Sequence, residues 1–240
     1  MDNEVSATVT STISFAPAKN LRAMEFGLIF LVVFAPLLSV SIYAVASGRQ
    51  LGGSSPGRAF TLSGIFTELG ALALLSYVLF RQGRNFRSLG FGFSWKDFPR
   101  SLLVIVLSYM ALLVWWWGLV AIYRSLGRPL NSAPQNVEFM SNMLSVFGIL
   151  FLLLNPFFEE LIVRAYLISE VQFFTGSSSL AVLASVVIQS SYHLYQGVVP
   201  AFLTTSVFTV FSLYYIRTRR ITPVIIAHMV FDFVAVAAHR

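Results

Sequence analysis

Cysteine is absent from this chain of 240 residues, which excludes disulfides and thiol catalysis and says little about compartment. Charge is nearly as scarce. Asp, Glu, Lys and Arg make up 11% of the residues, where a soluble domain carries roughly 25%. Hydrophobic residues reach 57% and the mean hydropathy is +0.77. Together these values exclude a soluble globular domain and indicate a polytopic membrane protein whose length fits one domain. Internal repeats are not evident. The net charge of +6 is not a nucleic-acid footprint, because the basic residues fall mostly between apolar segments, where they orient a membrane protein. The expected partner is therefore the lipid bilayer, with no nucleic acid.

Apolar runs are what the sequence has in abundance. A helical span needs about 20 apolar residues. Runs at 26–46, 59–80, 101–123, 144–168, 178–196, 200–216 and 223–238 predict an all-α bundle of about seven transmembrane helices. Residues 1–24 are polar and Ser/Thr-rich and read as a flexible tail. Residues 25–240 form a single membrane-embedded domain, with its chemistry concentrated at about 144–238. Ala44-Val45-Ala46 has the form of a signal-peptidase site, but the apolar run before it is too long for a signal peptide and more spans follow. An uncleaved first span is expected.

Seven spans put Lys19, Arg22, Arg81, Arg84, Arg87, Lys96, Arg100, Arg217, Arg219 and Arg220 on one side, and Arg49, Arg58, Arg124, Arg128 and Arg240 on the other. The excess marks the cytoplasmic side, so the N-terminus is expected there. The segment "FRSLGFGFSWKDFPR" mixes aromatic and basic residues and suits the headgroup level.

Ionisable residues within the spans are few: Glu68, Glu159, Glu160, Arg164, His193, His228 and Asp232. A charge at the bilayer centre costs about 2.5–3.5 kcal/mol on insertion scales, so such groups pair, face a cavity or act. Glu160 and Arg164 are four apart, share a helix face and can balance each other. Glu159 lies about 100° around the helix and has no local partner. A carboxylate so placed is suited to exchanging a proton. His228 and Asp232 also share a face. His193 stands apart, and Glu68 reads as an interhelical hydrogen-bonding group.

A Glu, two His and an Asp on three helices suit two hydrolytic designs. They could hold zinc with one position left for water. Alternatively, Glu and His could activate a water while His and Asp receive the oxyanion. The H-E-x-x-H zinc-helix signature is absent.

The order E-E-x-x-x-R (Glu159, Glu160, Arg164), a His ending an apolar helix (His193), then H-x-x-x-D (His228, Asp232) resembles the CPBP intramembrane proteases. These are the CAAX-processing and bacteriocin-processing enzymes, also called the Abi family. The likeness runs over residues 150–236. One departure is Gln189, which stands where the family commonly has Phe; Tyr192, next to His193, could bring a phenol to the site. The resemblance implies a membrane peptidase acting on a peptide or protein substrate, near its C-terminus or at a leader peptide. It implies Glu159 as general base, His193 positioning the water, His228 and Asp232 stabilising the oxyanion, and Glu160 and Arg164 bracing the site. The family is classed with metallopeptidases, and a metal-free glutamate mechanism is also argued for it. Zinc on Glu159, His193 and His228 stays open beside a metal-free site. The size and simplicity of the chain suggest a bacterial cytoplasmic membrane.

Two other readings compete. A proton-coupled transporter also uses intramembrane Glu, His and Asp, but usually shows inverted repeats. A non-catalytic immunity or regulatory protein of the same fold would share these residues without cutting anything.

Overall fold

A computed structural model describes residues 19–48, 58–128 and 145–238. These residues form seven helices and no strand: α1 Lys19–Ser47, α2 Arg58–Arg81, α3 Asp97–Ser125, α4 Val146–Thr175, α5 Ser178–Tyr192, α6 Val198–Thr218 and α7 Thr222–Ala237. Each matches one of the apolar runs. Five, namely α1, α2, α3, α4 and α6, are long and apolar enough to cross a membrane. The other two are shorter, with 15 residues in α5 and 16 in α7. The protein is an integral membrane helix bundle. Residues 1–18 of the expected tail lie outside the described residues. Residues 19–24 were expected in that tail and are instead helical, because Arg22 is tied into the bundle.

That tie is part of a polar clamp at the basic end. Glu170, fully buried near the end of α4, accepts hydrogen bonds from Arg22 at 2.6 and 2.9 Å and from Arg84 at 2.7 Å. Gln82 donates to Glu25 at 3.0 Å, and Arg81 pairs with the same carboxylate at 3.5 Å. The start of α1 and the ends of α2 and α4 are thereby held together. A second clamp joins the α2–α3 connection to the α6–α7 turn. Buried Asp97 takes Arg220 at 2.7 Å and Arg100 at 3.3 Å. Thr222 donates to the Gly92 carbonyl at 3.0 Å and accepts from the Gly92 N–H at 3.1 Å.

Two stretches depart from α geometry. Phe30–Phe34 in α1 and Glu160–Tyr166 in α4 are π-helical. In α1 the cause is local. Pro36 has no N–H to give to the carbonyl of Val32, and its ring crowds that carbonyl, so the ladder widens over the preceding turn. Pro156 also removes a bond from the α4 ladder, to the Leu152 carbonyl, upstream of its π stretch. Carbonyls freed in α4 find side-chain donors. Ser185 of α5 donates to Val163 at 2.8 Å, while Ala165 accepts from Ser169 of α4 itself at 2.6 Å and Tyr215 of α6 donates to the Leu89 carbonyl at 3.1 Å.

The fifth helix ends before the apolar run 178–196 does. Extension of the 178–196 run past Gly197 toward Pro200 would bring His193 to mid-depth. The helix instead stops at Tyr192 and a 3₁₀ turn covers Leu194–Gln196. Gly197, at φ 111 and ψ 157, then reverses the chain in a conformation that glycine alone adopts readily. Pro200 falls in the first turn of α6, where its missing N–H costs no bond. His193 comes level with Glu159 because α5 is short. Its 15 residues rise about 22 Å from the basic end, and Glu159 lies about 24 Å up α4 from Thr175.

Gly90 closes the second clamp with φ 83, and a Cβ there would lie 1.9 Å from the Arg219 carbonyl oxygen. Gly90→Ala is expected to cost more than about 1 kcal/mol. Thermal unfolding in detergent should read this as a Tm drop of at least about 2–4 °C.

Candidate active site

Glu159 and Glu160 are the last α-helical and the first π-helical residues at the break in α4. Both are buried, Glu160 completely. α7 brings His228 against them, and α5 brings Gln189. The imidazole Nδ1 of His228 lies 2.8 Å from Glu160 Oε1. With Nδ1–H donating to that carboxylate, Nε2 is left facing Asp232 Oδ1 at 3.5 Å and Glu159 Oε2 at 4.0 Å. A histidine whose one nitrogen is anchored presents the other in a fixed direction.

Arg164, with no exposed side-chain surface, pairs with Glu160 Oε2 at 3.4 Å. Its guanidinium lies 5.0 Å from the ring centre of Phe208 and 5.8 Å from that of Phe211. Those aromatic faces add cation–π attraction in a desolvated setting. Glu160 therefore has a cation on one oxygen and an imidazole N–H on the other. The i,i+4 pairing of Glu160 with Arg164 survives the π turn.

Glu159 is held differently. The Gln189 side-chain amide donates to its Oε2 at 2.6 Å, and the Tyr192 hydroxyl lies beside it. Gln189 thus does what no Phe at that place could do: it hydrogen-bonds the unpaired carboxylate. The sequence signal was there, a large amide on an apolar helix one turn before His193. His193 Nδ1 is 2.9 Å from the Gln189 carbonyl. A carbonyl only accepts, so Nδ1 carries the proton and Nε2 is free. The ring packs on Phe208 at 4.8 Å and Tyr192 at 4.7 Å.

The structure thus brings together Glu159, Glu160, Arg164, His228 and Asp232, with His193 at their flank in the field of Glu159 and His228. Asn155, one turn before Glu159, faces the Asp232 carboxylate. Glu68 of α2 lies in the field of Glu159, Asp232 and His228. Asn155 is uncharged and gave no sequence signal, and the placement of Glu68 needs the packing of α2 on α4.

The donor atoms of Glu159, Glu160 and His228 lie within 4.8 Å of one another, close enough to share a metal ion. His193, expected in a zinc set with Glu159 and His228, is not among them. Several buried polar atoms here have no hydrogen-bond partner among the described residues: Glu160 Oε2, the three Arg164 nitrogens, Gln189 Oε1, Tyr192 OH and Asp232 Oδ2. Buried polar atoms rarely stay unsatisfied, so this cluster has bonding capacity for a polar guest.

A separate apolar cleft of about 270 Å³ opens between the α2–α3 connection, α4 and α7. Phe91, Phe93, Phe98, Phe157, Ile225 and Met229 line most of it, and none of the clustered charges does. Phe157 and Met229 share α4 and α7 with the cluster, so cleft and site lie side by side.

Residues 141–234 match the model of a family described as type II CAAX prenyl endopeptidase Rce1-like. Comparison with curated proteins and with solved structures finds no match. The matched stretch holds Glu159, Glu160, Arg164, Gln189, His193, His228 and Asp232. Motif order, convergence in space and the family match agree, and this C-terminal region is similar to the type II CAAX prenyl endopeptidase Rce1-like family.

Proposed function

We propose that the protein hydrolyses a peptide bond of a membrane-associated, lipid-modified substrate, in the CAAX-type manner its family description names. The observation that carries this reading is the convergence on His228 of Glu159, Glu160 and Asp232. A buried carboxylate beside an anchored imidazole is the equipment of general acid–base hydrolysis.

In this mechanism Glu159 takes a proton from a water as its oxygen attacks the scissile carbonyl carbon. Gln189 fixes Oε2 of Glu159, which leaves Oε1 as the accepting atom. Negative charge then develops on the carbonyl oxygen. His228, with Nδ1–H committed to Glu160, presents a protonated Nε2 to that oxyanion, and Asp232, on the same Nε2 edge, helps orient the ring. Glu159 returns its proton to the leaving amine nitrogen as the C–N bond breaks. His193 Nε2 positions the water. Arg164 holds Glu160 in place through their ion pair. The apolar cleft receives the hydrocarbon part of the substrate.

Glu159, Glu160 and His228 fit a zinc-class cation in donor type and spacing. Bound there, it would polarise the carbonyl or the water. Chelation separates the two versions. Cleavage lost to 1,10-phenanthroline and restored by zinc assigns the cation to the mechanism, whereas cleavage unaffected by chelation leaves the water to Glu159 alone.

Glu159→Gln is expected to lower kcat/KM for a prenylated peptide by about 10²–10⁴-fold, with membrane insertion and Tm preserved. Normal cleavage by that variant would sink the assignment, and flux of protons through liposomes would favour a transporter.

The basic end of the bundle is taken to face the cytoplasm, in a bacterial inner membrane, with the N-terminus on that side. The absence of cysteine makes this simple to check. In intact cells an impermeant maleimide should label Leu126→Cys and spare Ser88→Cys; the opposite pattern inverts the topology.

A further inference from the structure

Glu68 is the ionisable group of the spans that the mechanism above leaves unused. It lies on α2, one turn after Gly64, where a Cβ would meet the Phe151 ring at 2.8 Å. That close approach sets the register of α2 on α4. Both helices run toward the clamped basic end, so one further turn along each brings Glu68 level with Asn155, and the next reaches Glu159. The side chain is 5% exposed. Its Oε2 is buried without a hydrogen-bond partner among the described residues. It lies in the field of Glu159, Asp232 and His228. An interhelical hydrogen-bonding group, the reading its sequence setting suggests, would have found a partner on α4. In this cluster four carboxylates face one guanidinium and two imidazoles, and Glu68 is the acid to which no cation or amide among the described residues donates.

We propose that Glu68 is a substrate-binding residue of this site, its carboxylate accepting a hydrogen bond from a main-chain N–H of the bound peptide beside the scissile bond. The proposal rests on the peptidase reading and adds a contact to it. An extended peptide drawn into an apolar bundle leaves its water-bonded N–H groups without partners, and each needs an acceptor. One helical turn is about 5.4 Å, and an extended chain advances about 3.3 Å per residue. A carboxylate one turn from the level of Glu159 therefore falls opposite an N–H one or two residues from the bond that is cut. Asn155 and Asp232 flank that position, so the α2–α4 seam becomes the wall along which the peptide lies.

The test uses full-length protein in lipid nanodiscs and a fluorescent farnesylated peptide, with single N-methyl substitutions along its backbone. Cleavage is read on wild type, and binding on Glu159→Gln with and without changes at Glu68. Glu68→Leu should weaken binding and raise KM by about 10- to 100-fold with kcat within about threefold. Glu68→Gln, whose amide oxygen still accepts, should recover most of the loss. One N-methyl position should weaken binding to the parent and have no further effect on Glu68→Leu. Unchanged binding by a folded Glu68→Leu overturns the proposal. So does a kcat loss at constant KM, or an N-methyl scan identical in parent and variant. Wild type that binds the peptide without cutting it refutes the peptidase reading, and the Glu68 contact is still read from binding. Wild type that binds no peptide overturns both.

Discussion

Pairing of charge away from water is the constraint from which the interior of this bundle follows. Removing a carboxylate from water costs several kcal/mol unless a partner compensates. Glu160 has two, Arg164 on its own helix and His228 from α7. Each of those needs Glu160 in return, since a buried guanidinium without an anion would be as costly. The Phe208 and Phe211 faces complete the environment of Arg164. Three helices are thereby fixed about one carboxylate. Glu159 is oriented by this arrangement and is not neutralised by it. Gln189 gives it a hydrogen bond and no countercharge. A braced ion pair beside a carboxylate that has an amide hydrogen bond and only a more distant imidazole separates structural from chemical work between two adjacent residues.

Much of this was legible in the sequence, and the part that was not has physical causes. The i,i+4 relations of Glu160 with Arg164 and of His228 with Asp232 depend only on helical repeat, and both appear as contacts. The seven apolar runs each became a helix. The length of α5 was not legible from hydropathy, because polar and apolar residues alternate through Gln189–Gln196 without a clear break. The backbone of Gly197 ends the run, and composition carries no dihedral angle. The clamp around Glu170 was also hidden. Glu170 and Arg22 are 148 positions apart, and in sequence each reads as an ordinary flanking charge. Gln189 was noticed as a missing Phe, a packing question, and the structure turns it into a hydrogen bond. Glu68 was seen, but which helix it faces depends on the Gly64–Phe151 approach, a tertiary fact.

The π turn in α4 links these levels. A widened turn frees backbone carbonyls, which a bundle lacking water cannot leave bare. Here Ser185 of α5 fills Val163 and Ser169 of α4 itself fills Ala165, so the irregular stretch also bonds α4 to α5. Glu160 and Arg164 lie on that stretch. The local cost of the π geometry is offset by the same donors that lock the helices around the site, which is why such turns gather at functional positions.

The two clamps matter to the site through distance. His228 is six residues, or about 9 Å, from Thr222, where α7 is pinned to Gly92. A short helix pinned so near leaves its His little room to tilt or slide. Glu160 is ten residues, about 15 Å, from Glu170, where α4 is pinned to Arg22 and Arg84. The clamps lie near the helix ends, where two arginines compensate each of the buried carboxylates Glu170 and Asp97. The site is built deeper, where a hydrogen bond is stronger and an error more costly. Rigid helices carry the precision of the edge into the interior. Sliding α7 by one residue would move His228 about 1.5 Å and rotate it off Glu160. That would leave Arg164 to neutralise Glu160 alone and would turn Nε2 away from Glu159.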